Sequence, residues 1–229
     1  MRHILLKEFY KFNLAFWLFV AMIAFCCAWV YFEIVGGFNK FGTMMYSLQV
    51  IYNKQFTYNH LDELNLAFGV IIGIMSMFFE RQNGRIRVQL AFPHSYTKNM
   101  LTITLVPLIF LLVIFATEIA VIFCIFSKFF QPELRDALIS TLIYSCIFST
   151  ALFLLSQSVM IEPSLKRIIA SIASGVAILF LYFKINPDVG HSSLYYLNSN
   201  LWIYALICWV FCLSLLVLSL QNYKKGYIK

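Results

Sequence analysis

The chain has 229 residues, of which 62% are hydrophobic and only 12% are charged. Soluble domains are about half apolar and about a quarter charged. With a mean hydropathy of +0.82, this composition excludes an ordinary water-soluble domain, a disordered chain and a disulfide-rich secreted scaffold. The net charge is +7, but the basic residues do not cluster as they do on a nucleic-acid-binding surface, so no nucleic-acid partner is expected.

The first twelve residues have a pattern of their own. His3, Lys7 and Lys11 recur at every fourth position, whereas Ile4 and Phe9 fall on another face of the same helix. This spacing predicts a short amphipathic helix over residues 1–12 that lies in the membrane interface and leads into the first span. A basic flank that only sets the topology is the alternative.

Six apolar runs follow, and each is close to the roughly 20 residues that cross a bilayer as a helix. They cover about 13–35, 62–80, 100–127, 137–160, 168–185 and 201–221. The runs are continuously apolar and do not alternate, which excludes a transmembrane β-barrel. The sequence therefore predicts an all-α polytopic membrane protein that forms one transmembrane domain over residues 1–229.

The loops between these runs predict the orientation. Twelve of the 17 Lys and Arg residues fall on the side that holds both termini, and five fall on the other side. Because cytoplasmic loops are enriched in Lys and Arg, both termini are expected in the cytoplasm. An even number of spans requires the termini to share a side, so the two arguments agree.

The loop between the second and third spans carries the most informative motif. It begins with a charged pair, continues through a glycine that permits a tight turn, and ends at a proline that stops a short apolar segment. In these features it resembles the same loop in permeases of the type-2 exporter family of ABC transporters. The matching residues are Glu80, Arg81, Gly84, Leu90, Pro93 and Ser95. The six-span layout, the amphipathic start and the chain length are also similar.

The resemblance implies a short cytoplasmic coupling helix in this loop that docks on a separate ATPase. By resemblance, the residues at that interface are Glu80, Arg81, Gly84, Arg85 and Pro93. It further implies two copies of the ATPase, a second permease chain that is identical or a paralogue, and a location in the bacterial cytoplasmic membrane. The substrate class that we expect is hydrophobic or amphipathic, and its identity stays open.

Nucleotide chemistry is expected on the partner. The sequence has no G-x-x-x-x-G-K-[ST] loop that could cradle phosphates. The chain is therefore expected to be a transport subunit without its own ATPase site and without its own cofactor, while ATP and Mg bind to the ATPase. Its cysteines lie inside apolar runs and its histidines lack metal-ligand spacing, so neither disulfides nor a metal site is predicted.

Small residues mark the second and fifth spans. Gly69 and Gly73 are four positions apart, as are Ser171 and Gly175. This spacing lets two helices approach closely. Paired short spans that are interrupted by glycine also point to a transport path. The four residues are therefore candidates for a translocation path or a dimer interface, and ordinary packing inside the bundle is the alternative.

Glu118 is the acid that lies deep in an apolar run. Acids inside a membrane span are expensive to bury and are candidates for function. One hypothesis is therefore an ion-coupled carrier or channel that uses Glu118. The alternative is a structural carboxylate held by Lys184 or Lys128. A membrane assembly or anchoring subunit without transport of its own is a third possibility for the whole chain.

Overall fold

The computed structural model describes residues 2–53, 55–58, 60–81, 96–185, 191–193 and 200–227. In these residues the helices are α1 (Arg2–Phe41), α2 (Thr43–Asn53), α3 (Leu61–Arg81), α4 (Tyr96–Phe129), α5 (Pro132–Ile161), α6 (Leu165–Ile185) and α7 (Asn200–Tyr227). Two short strands are β1 (Gln55–Thr57) and β2 (His191–Ser193). All of the helices except α2 are long and apolar enough to cross a membrane. The predicted class, an all-α polytopic membrane protein with six spans, is confirmed.

The start of α1 differs from the prediction. The segment 1–12 was expected to form a separate interfacial helix, but α1 continues without a break from Arg2 to Phe41. Residues 2–35 contain no glycine or proline, so nothing in the sequence ends the helix at residue 12. Forty residues make a helix about 60 Å long, whereas the hydrocarbon core is about 30 Å thick. The first turns of α1 therefore extend beyond the apolar layer.

Helix α5 is the centre of the bundle, because α3, α4, α6 and α7 all pack against it. Of its 30 residues, 20 are buried. It therefore buries every face, as expected of a helix that is surrounded by others. Helix α1 lies further out and packs mainly against α4. The outer helices expose large apolar side chains that face the bilayer, among them Trp17, Phe25, Phe180, Leu206 and Val210.

Contacts between helix ends define two ends of the bundle. At the end that we call the amino-terminal end, the start of α1 meets the end of α3 through Lys7 and Glu80. The end of α5 meets α7 there as well, through Glu162 and Asn222. At the other end, which we call the distal end, the start of α3 approaches α6 through Asp62 and Tyr182.

At the distal end a tight turn joins α1 to α2. Gly42 has a φ of 79°, which glycine adopts without steric cost. The turn brings Tyr46 of α2 against Phe38 of α1 and Phe130, with ring centroids 5.4 and 6.4 Å apart. Helix α2 is thereby anchored on the bundle by one aromatic cluster, while Met44 and Tyr52 remain exposed.

The two strands form an antiparallel ribbon at the same end. Gln55 lies opposite Ser193 and Thr57 lies opposite His191. Tyr58 follows β1, is buried, and donates a hydrogen bond to the carbonyl oxygen of Leu138 at 2.8 Å. This bond holds the segment before α3 against the first turns of α5. The two helices are therefore connected at the distal end.

Candidate functional site

One face of α3 carries polar and small residues along its whole length. These residues are Asp62, Asn65, Gly69, Gly73, Ser76 and Glu80. Successive members are three or four positions apart, so all of them lie on one side of the helix. We call this face the α3 stripe. Its side chains are buried, and in a membrane span such a stripe faces other helices rather than lipid.

The α3 stripe packs against α5. A Cβ atom on Gly69 would overlap the carbonyl oxygen and the hydroxyl of Ser149, and one on Gly73 would overlap Ser156 and the carbonyl oxygen of Phe153. The two backbones approach so closely only because both positions lack a side chain. Gly69 and Gly73 are therefore packing residues inside this chain.

Hydrogen bonds also stabilise the contact between α3 and α5. The hydroxyl of Ser149 donates to the carbonyl oxygen of Asn65. The amide Nε2 of Gln157 donates to the hydroxyl of Ser76 at 2.8 Å, and that hydroxyl donates to the carbonyl oxygen of Gly73 at 2.7 Å. Interhelical bonds of this kind contribute about 1 kcal/mol each in a membrane. Together with the glycine contacts they make α3 and α5 one rigid pair.

Glu118 of α4 joins this pair near the distal end. It is fully buried, and its Oε1 accepts a hydrogen bond from Nδ2 of Asn65 at 2.8 Å. Among the ion pairs of the described residues, none joins Glu118 to Lys184 or Lys128, and Lys128 lies over the ring of Phe129 instead. Oε2 of Glu118 and Oδ1 of Asn65 have no hydrogen-bond partner among the described residues.

The amino-terminal end of the α3 stripe is an ion-pair cluster. Glu80 is 1% exposed, and its Oε1 lies 2.8 Å from Nζ of Lys7 and 3.4 Å from Nζ of Lys11. Lys11 also donates to the carbonyl oxygen of Ser76 at 2.6 Å. Since a carboxylate is buried favourably only with charged or hydrogen-bonding partners, Glu80 ties the start of α1 to the end of α3. The sequence pattern of residues 1–12 already contained both lysines.

The other residues of the predicted ATPase interface lie at or beyond this cluster. Arg81 is the last residue of α3, and only its backbone is described. Gly84, Arg85 and Pro93 lie outside the described residues. The predicted coupling helix also lies outside them, so it stays a prediction. What the structure describes is that α3 ends at Arg81, one residue after Glu80.

The fifth span also packs inward. Ser171 is buried, and a Cβ on Gly175 would overlap the end of the Leu155 side chain of α5. Thus the glycines of the second and fifth spans all contact α5. Ser171 also lines a groove between α6 and α7. That these small residues belong to a translocation path or a dimer interface stays a prediction.

Sequence reasoning missed Asn65, Ser76 and Gln157 as parts of this site. Asn65 and Ser76 could have been found from the sequence, because they are spaced three or four positions from Gly69, Gly73 and Glu80 on one face of the helix. No group of three or more His, Cys, Asp or Glu residues that could hold a metal occurs among the described residues.

Comparison with known proteins does not assign the chain to a family, since no family model, curated protein or solved structure matches it.

Proposed function

We propose that this chain is the membrane-spanning permease subunit of an ATP-binding-cassette transporter. A second permease chain and two copies of a separate ATPase would complete the transporter, in the cytoplasmic membrane of a bacterium with both termini in the cytoplasm. The cargo that we propose is a hydrophobic or amphipathic molecule moved outward. The observation that carries the proposal is the cluster of Lys7, Lys11 and Glu80, placed directly before the loop that resembles a coupling helix.

A transporter driven by a separate ATPase needs a rigid connection between the loop that the ATPase displaces and the helices that move. In our proposal, closure of the ATPase pair on ATP pushes the loop 82–95. The end of α3 receives this displacement first, because α3 ends at Arg81. The pairs from Glu80 to Lys7 and Lys11 would carry it to α1, and the glycine contacts with Ser149 and Ser156 would carry it to α5.

Glu118 has a supporting role in this proposal. Its hydrogen bond to Asn65 links α4 to the same pair of helices at the distal end. An ion-coupled carrier would instead use Glu118 as the group that binds the ion or proton. The described partner of the Glu118 carboxylate is a neutral amide on the neighbouring helix, which fits a structural link between helices better than a relay of acids.

The experiment that tests the proposal is affinity purification of the tagged chain from its own cells in mild detergent, followed by mass spectrometry. We expect an ATPase with a G-x-x-x-x-G-K-[ST] motif to copurify. Gly84→Trp should reduce its yield about tenfold or more, because a bulky residue at the turn would displace the docking surface.

Gly36→Trp is the matched control, since a Cβ on Gly36 of α1 meets open space. It should leave the yield of the ATPase unchanged. If no ATPase copurifies even after chemical cross-linking, the permease proposal is wrong. A carrier that uses Glu118, or an anchoring subunit, would then explain the chain better.

A further inference from the structure

A groove opens between α6 and α7 at the amino-terminal end of the bundle. It has a volume of about 430 Å³. Its polar part holds Glu162, Arg167 and Asn222, and its apolar part holds Phe211, Leu215 and Leu218. Both helices pack against α5, and the groove runs along the surface between them. This position does not overlap the α3 stripe or the Glu80 cluster.

The shape of the groove fits one leaflet of a membrane. Phe211 and Asn222 are eleven positions apart in α7, which corresponds to a rise of about 16 Å along the helix axis. Half of the hydrocarbon core is about 15 Å thick. The apolar part of the groove therefore covers the depth of a single acyl chain, and the polar part lies where a lipid head group lies.

The polar part carries one charge of each sign. Glu162 is only 2% exposed, and its Oε2 accepts a hydrogen bond from Nδ2 of Asn222 at 3.1 Å. Its Oε1 has no hydrogen-bond partner among the described residues, although Nη1 of Arg167 lies 3.8 Å away. The Arg167 side chain is 60% exposed, so its guanidinium is free to turn toward another anion.

We propose that this groove binds a phospholipid with a primary ammonium head group, namely phosphatidylethanolamine. Since Oε1 of Glu162 is itself buried beside Arg167, the guanidinium turns away from it and donates to the phosphate, whose oxygens it suits. The ammonium takes the place of the guanidinium and donates a hydrogen bond to Oε1 of Glu162. One acyl chain lies along Leu218, Leu215 and Phe211. This inference does not depend on the proposed transport function, since any bundle of this shape in a bilayer would offer the same groove.

The charges in the groove discriminate between lipids. Phosphatidylcholine has a phosphate for Arg167, but its trimethylated nitrogen has no N–H to donate to Glu162. An anionic lipid such as phosphatidylglycerol would bring a second negative charge close to the buried Glu162 carboxylate, and Arg167 alone would have to compensate both charges. The structure therefore favours the ethanolamine lipid over both.

The test is native mass spectrometry of the purified full chain titrated with three dioleoyl lipids, which carry ethanolamine, choline or glycerol head groups. We expect the ethanolamine lipid to bind about tenfold more tightly than the choline lipid, because a charge-assisted hydrogen bond is lost in the latter. Glu162→Gln should remove this preference. Glu133→Gln, an exposed acid at the other end of α5, should retain it.

Arg167→Ala is a second variant, which changes an exposed side chain and should weaken all three lipids. It keeps the proposal testable should Glu162→Gln fail to fold. Equal binding of the ethanolamine and choline lipids by the natural chain would overturn the proposal, as would a preference for the anionic lipid. A preference for ethanolamine that survives in folded Glu162→Gln protein would overturn it as well.

Discussion

Replacing Gly69 with leucine is expected to lower the free energy of unfolding by about 3 kcal/mol or more. Even a Cβ at this position would overlap the backbone of Ser149, and a backbone carbonyl cannot rotate away as the end of a side chain can. Separation of α3 from α5 would also break the bond from the Ser149 hydroxyl to Asn65. The measurement is the unfolding midpoint in detergent, followed by size-exclusion chromatography of heated samples.

Gly36→Leu is the control for this prediction, because it makes the same chemical change in another membrane helix. A Cβ at Gly36 meets no atom within 4 Å, and leucine is a better helix former than glycine by about 0.5–1 kcal/mol. This variant should be as stable as the natural chain or slightly more stable. If Gly69→Leu and Gly36→Leu unfold together, the close contact of α3 with α5 does not hold the bundle.

Glu80→Gln is expected to release the first turns of α1 from the end of α3. The carboxylate is the common acceptor of Lys7 and Lys11, and the side chain of Lys11 is only 9% exposed. Removing one partner of a buried ion pair leaves the other charge uncompensated. Amide hydrogen exchange in residues 6–12 should therefore accelerate by at least about tenfold.

Glu63→Gln provides the matched comparison. Glu63 lies on the same helix, at its distal end, and pairs with His60. Its replacement should leave exchange in residues 6–12 unchanged. Slow exchange of these amides in both variants would show that the start of α1 is held by contacts other than its ion pairs with Glu80, such as the bond from Lys11 to the carbonyl oxygen of Ser76. The Glu80 link from α3 to α1 would then lose its support.

The sequence was sufficient to predict the class of fold, because length and hydropathy decide how many helices cross a bilayer. It also identified Gly69 and Gly73 as positions of close approach. What it could not predict was the partner helix, since small residues suit contacts inside a chain and contacts between chains equally well. The structure assigns the contact to α5 through Ser149 and Ser156.

Glu118 illustrates the same limit. A buried acid needs a partner, and charge alone suggested Lys184 or Lys128. The partner is the amide of Asn65 on a neighbouring helix, which only the packing of α3 against α4 could reveal. Likewise, the lysines of residues 1–12 were read as an interfacial face, whereas Lys7 and Lys11 contact Glu80, 73 and 69 positions away in sequence.

The most direct test of the permease proposal is photo-cross-linking from the loop itself in living cells. A benzophenone amino acid would replace Ile86, inside the loop 82–95, or Tyr52, which is 87% exposed at the distal end of the bundle. We predict an adduct with the ATPase from position 86 and none from position 52. Adducts with the ATPase from position 52 alone, or from neither position although the protein is inserted, would contradict the proposal.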